Sequence, residues 1–134
     1  MNARNFKVLL IEDDKIDQLA FVRLVKEEKL AYDYKLAGTV MEAKNFLANE
    51  EFDVIIADYL LRDGTAFDIL DSVRDIPVIF ATGAGNEKLA VKAMKTGAYD
   101  YLIKNPERGY LAVLPLIIET QQQHSSSIDS GCGY

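Results

Sequence analysis

Short, continuously apolar runs alternate along the chain with longer stretches in which apolar residues recur at helical spacing. The clearest runs are Val8-Leu9-Leu10-Ile11, Val54-Ile55-Ile56-Ala57 and Val78-Ile79-Phe80-Ala81, with weaker ones at Tyr34 to Ala37 and Tyr101 to Ile103. An uninterrupted run, unlike a strict alternation, is what a parallel strand covered on both faces requires. Between the runs lie five helical stripes. The first is Ala20, Phe21, Leu24 and Val25; the second is Val40, Ala43, Phe46 and Leu47, opened by a capping box of Thr39 and Glu42. Phe67, Leu70 and Val73 mark a shorter third. Leu89, Ala90, Ala93 and Met94 mark a fourth, ended by Gly97 as a left-handed cap. Leu111, Leu114, Ile117 and Ile118 mark a fifth. Pro115 falls inside that stripe, where an interior proline costs about 3 kcal/mol, so the helix begins just before it or kinks there.

Five strands alternating with five helices predict an α/β fold with a doubly wound parallel sheet. No internal repeat appears. From Gln121 onward the apolar period is lost (Gln-Gln-Gln-His-Ser-Ser-Ser), so residues 5–120 are expected to form one domain and 121–134 a polar tail or linker.

Composition narrows the class of function. The 134 residues are 49% hydrophobic and 27% charged, as in ordinary globular domains. A net charge of -6 disfavours direct nucleic-acid binding, which needs a cationic face. The single cysteine, Cys132, cannot close an intramolecular disulfide. Met1 to Lys7 contains no signal-peptide core, and the longest apolar runs are four or five residues, far short of the ~20 that cross a bilayer. A cytoplasmic protein without membrane insertion is the expectation.

In open α/β sheets, ligands bind beyond the carboxyl ends of the strands. The first strand is followed by Glu12-Asp13-Asp14, the third by Asp58, the fourth by Thr82-Gly83 and the fifth by Lys104. Alone, each has an ordinary explanation. Asp14 reads as the cap of a helix starting near Lys15, a single aspartate after a strand is commonly a turn residue, and Thr82 or Lys104 alone means nothing. Together they predict carboxylates, a hydroxyl and an ammonium converging on one edge. Clustered carboxylates call for a hard cation with oxygen ligands, which suits Mg²⁺. With charge so neutralised, Asp58 can act as a nucleophile toward phosphorus, and Lys104 and Thr82 can hold phosphoryl oxygens.

The set spanning Lys7 to Asp14, Asp53 to Gly64, Val78 to Gly83 and Ala98 to Lys104 resembles the response-regulator receiver family of two-component signalling, including the chemotaxis receiver. The resemblance implies a flavodoxin-like sheet with strand order 2-1-3-4-5 and five flanking helices. It implies Asp58 as phosphoacceptor, and a Mg²⁺ (or Mn²⁺) site of Glu12, Asp13, Asp58 and the Leu60 carbonyl. It also implies Thr82 and Lys104 as phosphoryl contacts, with Thr82 and Tyr101 as the switch pair. From the residues alone, Tyr101 would read as a half-buried strand tyrosine. The implied partners are a histidine kinase or histidine phosphotransfer protein as donor, and a downstream protein on the face of the fourth helix, fifth strand and fifth helix. Such a domain is not a conventional enzyme; it catalyses only its own phosphorylation and slow dephosphorylation.

The chain departs from the family pattern in three places. Arg62 stands where many members have proline, and Asn105 separates Lys104 from Pro106. Leu60 and Ala84 occupy the positions that tune phosphoryl lifetime in the family. Neither side chain can hydrogen-bond an attacking water, which predicts a long-lived phosphoryl state.

Other readings fare worse. A haloacid-dehalogenase-type phosphatase wants a second aspartate two residues after the nucleophile, where Leu60 stands. Thr82-Gly83-Ala84-Gly85 fails as a dinucleotide fingerprint because Lys88 takes the third glycine position and the loop follows the fourth strand. Glu87 before Lys88 excludes a P-loop. A non-switching receiver-fold docking module is the alternative. The only histidine, His124, lies in the polar tail rather than on a dimerising helix, so the chain is no kinase by itself. It is read either as a stand-alone receiver or as part of a longer protein. Tyr110 to Gln123 resembles receiver ends that lead into sensory or hybrid-kinase segments.

Overall fold

The computed structural model describes residues 6–73, 75–83, 87–104, 111 and 113–119. Expectations for Ala84, the Asn105-Pro106 loop, His124, Cys132 and the 121–134 tail lie outside these. The elements are β1 (Phe6–Ile11), α1 (Lys15–Glu27), β2 (Tyr32–Ala37), α2 (Val40–Asn49) and β3 (Val54–Asp58). Then follow β4 (Leu60–Leu61), β5 (Gly64–Thr65), α3 (Ala66–Leu70), β6 (Val78–Gly83), α4 (Glu87–Thr96) and β7 (Asp100–Lys104). Residues 113–119 form α5, and Leu111 is helical as well.

Five parallel strands make the main sheet in the order β2-β1-β3-β6-β7, with all four neighbouring pairs in parallel register. Counted over this sheet alone, that is the expected 2-1-3-4-5. The difference in labels arises from a two-stranded antiparallel hairpin, β4-β5, which the sequence reading did not anticipate.

The apolar runs are continuous because side chains alternate between two separate cores. Leu9, Ile11, Ile55, Ala57, Val78 and Phe80 face one layer, with Val40 and Ala43 of α2, Ala66 and Ile69 of α3, and Ala93 of α4. Val8, Leu10, Val54, Ile56, Ile79 and Leu102 face the other, with Phe21 and Val25 of α1 and Leu111, Leu114 and Ile118. Each buried Val, Leu, Ile or Phe among these contributes about 2 kcal/mol of transfer free energy, so both faces of the sheet are fixed. At the edge, β2 alternates half-buried and exposed residues and starts at Tyr32, two residues before its apolar run. Pro115 lies within the helical residues 113–119, with helical Leu111 preceding it.

Helix caps hold the loops at the carboxyl edge. Asp14 caps α1, its carboxylate accepting from the Ile16 and Asp17 N–H groups. Thr39 accepts from the Glu42 N–H at 3.0 Å, but Glu42 reaches back to Gly38 rather than to Thr39, so the expected box is only half closed. A complete box forms instead at α3, between Thr65 and Asp68. Asp63, in the β4-β5 turn, reaches across to α2 and accepts from the Val40 and Met41 N–H groups at 2.7 and 3.1 Å. Its carboxyl is held below the usual range chiefly by that Val40 bond. Next to it, a Cβ on Gly64 would collide with the Asp68 carboxylate and press on Val40, so a larger residue there would have to push Asp68 out of its cap. These bonds tie the segment after Asp58 to the helix beyond β2.

Candidate functional site

The register brings the strand ends together. Ile11 pairs with Ala37 and Ala57, Asp58 pairs with Ala81, and Lys104 pairs with Gly83. Glu12 therefore leaves β1 beside the end of the neighbouring central strand β3, and Thr82 lies one residue past the partner of Asp58. Carboxylate oxygens of Glu12, Asp13 and Asp58 all lie within 4.8 Å of one another. The Lys104 ammonium is 2.9 Å from Glu12 Oε1 and 3.6 Å from Asp58 Oδ2.

Burial makes this concentration of charge costly. Removal from water, with the charge of Asp58 adding to it, pushes the Glu12 carboxyl up to about 7 despite its hydrogen bond from Lys104. Asp58 is raised for the same leading reason, burial, with Lys104 opposing it. Burial alone would lower the pKa of Lys104. Hydrogen bonds to Asp17 and Glu12 and the charge of Asp58 overturn that and hold it above its ordinary value. The ammonium is thus firmly charged, and the acids around it strain for more positive charge than one lysine supplies. Three carboxylates within reach of one point, with no nitrogen or sulfur ligand, fit a hard divalent cation such as Mg²⁺.

The remaining expected residues sit around this cluster. Thr82 is fully buried, and among the described residues its hydroxyl has no hydrogen-bond partner. Tyr101 is 38% exposed on β7, paired in register with Phe80. Leu60 opens β4 two residues after Asp58, and its side chain is exposed.

One residue of the cluster escaped the sequence reading. Asp17, on the first turn of α1, places Oδ2 2.8 Å from the Lys104 ammonium. The signal was present: Asp17, Phe21 and Val25 are the buried residues of α1, a spacing of four and eight. Extending the apolar stripe back one turn puts an aspartate on the core face, where a carboxylate needs a partner.

The chain is similar to known proteins over most of its length. The family model described as response regulator receiver domain matches residues 8–113. The response regulator protein PilR of Pseudomonas aeruginosa is 32% identical over 113 residues, which are 81% of this chain and 25% of that protein. The regulatory protein LuxO of Vibrio cholerae is 38% identical over 88 residues, 63% of this chain and 19% of that protein. The chain thus spans about a quarter or less of the length of these curated relatives. Among solved structures, a signal receiver domain of a LuxO repressor protein from Vibrio parahaemolyticus superposes with a TM-score of 0.76 at 28% identity, covering 96% of this chain and 99% of that one.

Proposed function

The chain belongs to the response regulator receiver domain family, and from that premise we propose that Asp58 accepts a phosphoryl group from a phosphohistidine donor in a Mg²⁺-dependent reaction. The donor is a histidine kinase or a histidine phosphotransfer protein. The observation that supports this most is the convergence of Glu12, Asp13 and Asp58 with the Lys104 ammonium 3.6 Å from the Asp58 carboxylate.

An Asp58 oxygen attacks phosphorus, the P–N bond to the donor imidazole breaks, and the imidazole leaves with the electron pair. The product is an acyl phosphate on Asp58. Glu12, Asp13 and Asp58, with the Leu60 carbonyl, would hold the ion, which when bound offsets the anionic charge of both reactants. Lys104 contributes a fixed positive charge toward the phosphoryl oxygens. Because little covalent work falls to the protein, positioning and charge are its main contributions. The chain acts on itself, accepting and slowly losing one phosphoryl group, and turns over no external substrate.

The buried Thr82 hydroxyl has a bond to gain when a phosphoryl oxygen arrives above β6. Its movement makes room for Tyr101 to turn inward, and the face of α4, β7 and α5 then changes affinity for a downstream protein. The two forms are states of one equilibrium biased by local charge. The reading fits a cytoplasmic protein, and among the described residues no helix is long and apolar enough to cross a membrane.

Incubation with acetyl phosphate and Mg²⁺ should add one phosphoryl mass, labile to hydroxylamine, and Asp58→Asn should abolish it. Retention of the mass gain in that variant, or its absence in the parent protein, would refute the assignment. The parent result also separates a switch from a docking module, which gains no mass.

A further inference from the structure

Lys104 has a nearer partner than the residue it is expected to serve. Its ammonium lies 2.8 Å from Asp17, 2.9 Å from Glu12 and 3.6 Å from Asp58. Asp17 is 8% exposed, and the Asp14 cap that accepts from its N–H fixes it at the start of α1. The ammonium is therefore shared among three carboxylates, two of which belong to the metal-binding cluster. Asp17 is not part of that cluster. A cation bound among Glu12, Asp13 and Asp58 satisfies those acids but leaves the demand of Asp17 for Lys104 undiminished.

We infer that Asp17 is a positioning residue acting through Lys104: it competes with the phosphoryl group for the ammonium and holds it against α1 until Asp58 is modified. This rests on the phosphoacceptor reading. Two anions, the Asp17 carboxylate and the incoming phosphoryl oxygens, attract one buried cation, and it cannot be closest to both. The competition weakens phosphoryl holding. It also ties the first turn of α1 to the state of Asp58, because the ammonium moves away from that helix when the phosphoryl group takes it.

Asp17→Asn removes the competing charge and keeps the shape and one acceptor oxygen. With Mg²⁺ present, beryllofluoride, a phosphoryl mimic, should bind this variant about fivefold more tightly or better, the scale of coupling within one ion-pair network. Mg²⁺ alone should bind it no more tightly than it binds the parent, since a negative charge near the cluster has been lost. Asp17→Glu, which keeps the charge, should retain affinity close to the parent value. A carboxylate that merely props the fold would instead lower both affinities together. Should Asp17→Asn melt without a cooperative transition, Asp17→Ser makes the same test with a smaller polar side chain. Unchanged or weaker beryllofluoride binding in the folded variant, with Asp58-dependent binding intact in the parent, overturns this inference alone. Failure of the parent protein to bind beryllofluoride overturns the phosphoacceptor reading and this inference with it.

Discussion

On the β1-α1 side of the sheet's carboxyl edge, charge is already paired: Glu12 and Asp17 both hold Lys104, and Asp14 caps the helix that carries Asp17. On the β6-β7 side, the Thr82 hydroxyl is buried with no hydrogen-bond partner among the described residues, and Tyr101 is 38% exposed. The two sides meet at Lys104, which comes from β7 but spends its charge on acids from β1, α1 and β3. One side is organised to hold charge in place. The other has a hydroxyl bond still to make, which suits the change of state proposed for it. On that reading the cost of the site lies in buried carboxylates and its capacity for change in the Thr82 hydroxyl.

The largest expected effect comes from breaking the link between the sides. Lys104→Met leaves Glu12, Asp17 and Asp58 without their shared cation, and removal of one partner of a buried pair typically costs about 3–5 kcal/mol. Urea unfolding in chelator should show a loss of that order, and Mg²⁺ should recover part of it by compensating the remaining acids. A loss under 1 kcal/mol (roughly the worth of an exposed ion pair) would mean that the charged side is not held by this lysine.

Next in size is a dependence on pH that belongs to the charged side alone. The folded state raises Glu12 from 4.5 to about 7, so between those values it keeps a proton that the unfolded chain has lost. The resulting stability is fully present below pH 4.5 and is lost as pH rises through about 7, amounting to on the order of 3 kcal/mol. Asp58, raised in the same direction, adds to the same trend. Metal-free protein should therefore unfold at a lower urea concentration at pH 8 than at pH 5, and Glu12→Gln should flatten the difference. Identical slopes in the two proteins would show that Glu12 is ionised throughout.

How much of this was legible in the sequence follows from what each residue must do. β1, β3 and β6 were plain because both their faces are buried, which leaves no polar position to interrupt the apolar run. The ends of β2 and β7 were less so: an edge strand with exposed alternate residues has a weaker pattern. The β4-β5 hairpin left no period at all, since its two-residue strands are held by the tight turn at Gly64 and the cap that Asp63 gives α2 rather than by burial. Glu12, Asp13, Asp58, Thr82 and Lys104 could be named because each directly follows an apolar run, where the topology fixes a common edge. Asp17 could not be found that way. It approaches from a helix, where its spacing with Phe21 and Val25 puts it on the core face, but the spacing does not name Lys104 as its partner.

A third prediction joins the two sides through phosphoryl lifetime. Leu60, exposed on β4 beyond Asp58, offers no hydrogen bond to a water, and Ala84 offers none from the sequence after Thr82. Replacing Leu60 by Asn together with Ala84 by Glu should speed dephosphorylation by roughly a hundredfold, the low end of what a positioned polar group contributes to proton transfer. Decay of the phosphorylated mass with time measures it, and an unchanged or slower rate removes the idea.

The smallest effect has the opposite sign on the two states, and so tests the contrast most sharply. A buried hydroxyl without a partner costs about 1–3 kcal/mol, and the β-branched Thr82 can be replaced by Val with its shape kept. In the unphosphorylated protein, Thr82→Val should therefore stabilise slightly, by about 1 kcal/mol in urea unfolding. With beryllofluoride and Mg²⁺ the same change should reduce the stabilisation that the ligand confers, because the hydroxyl is then the group expected to gain a bond. A residue that only packs would move both states together. If Thr82→Val destabilises the free protein and leaves ligand stabilisation intact, the hydroxyl is not the group waiting to be bonded, and the β6-β7 side loses its claim to be the part that changes.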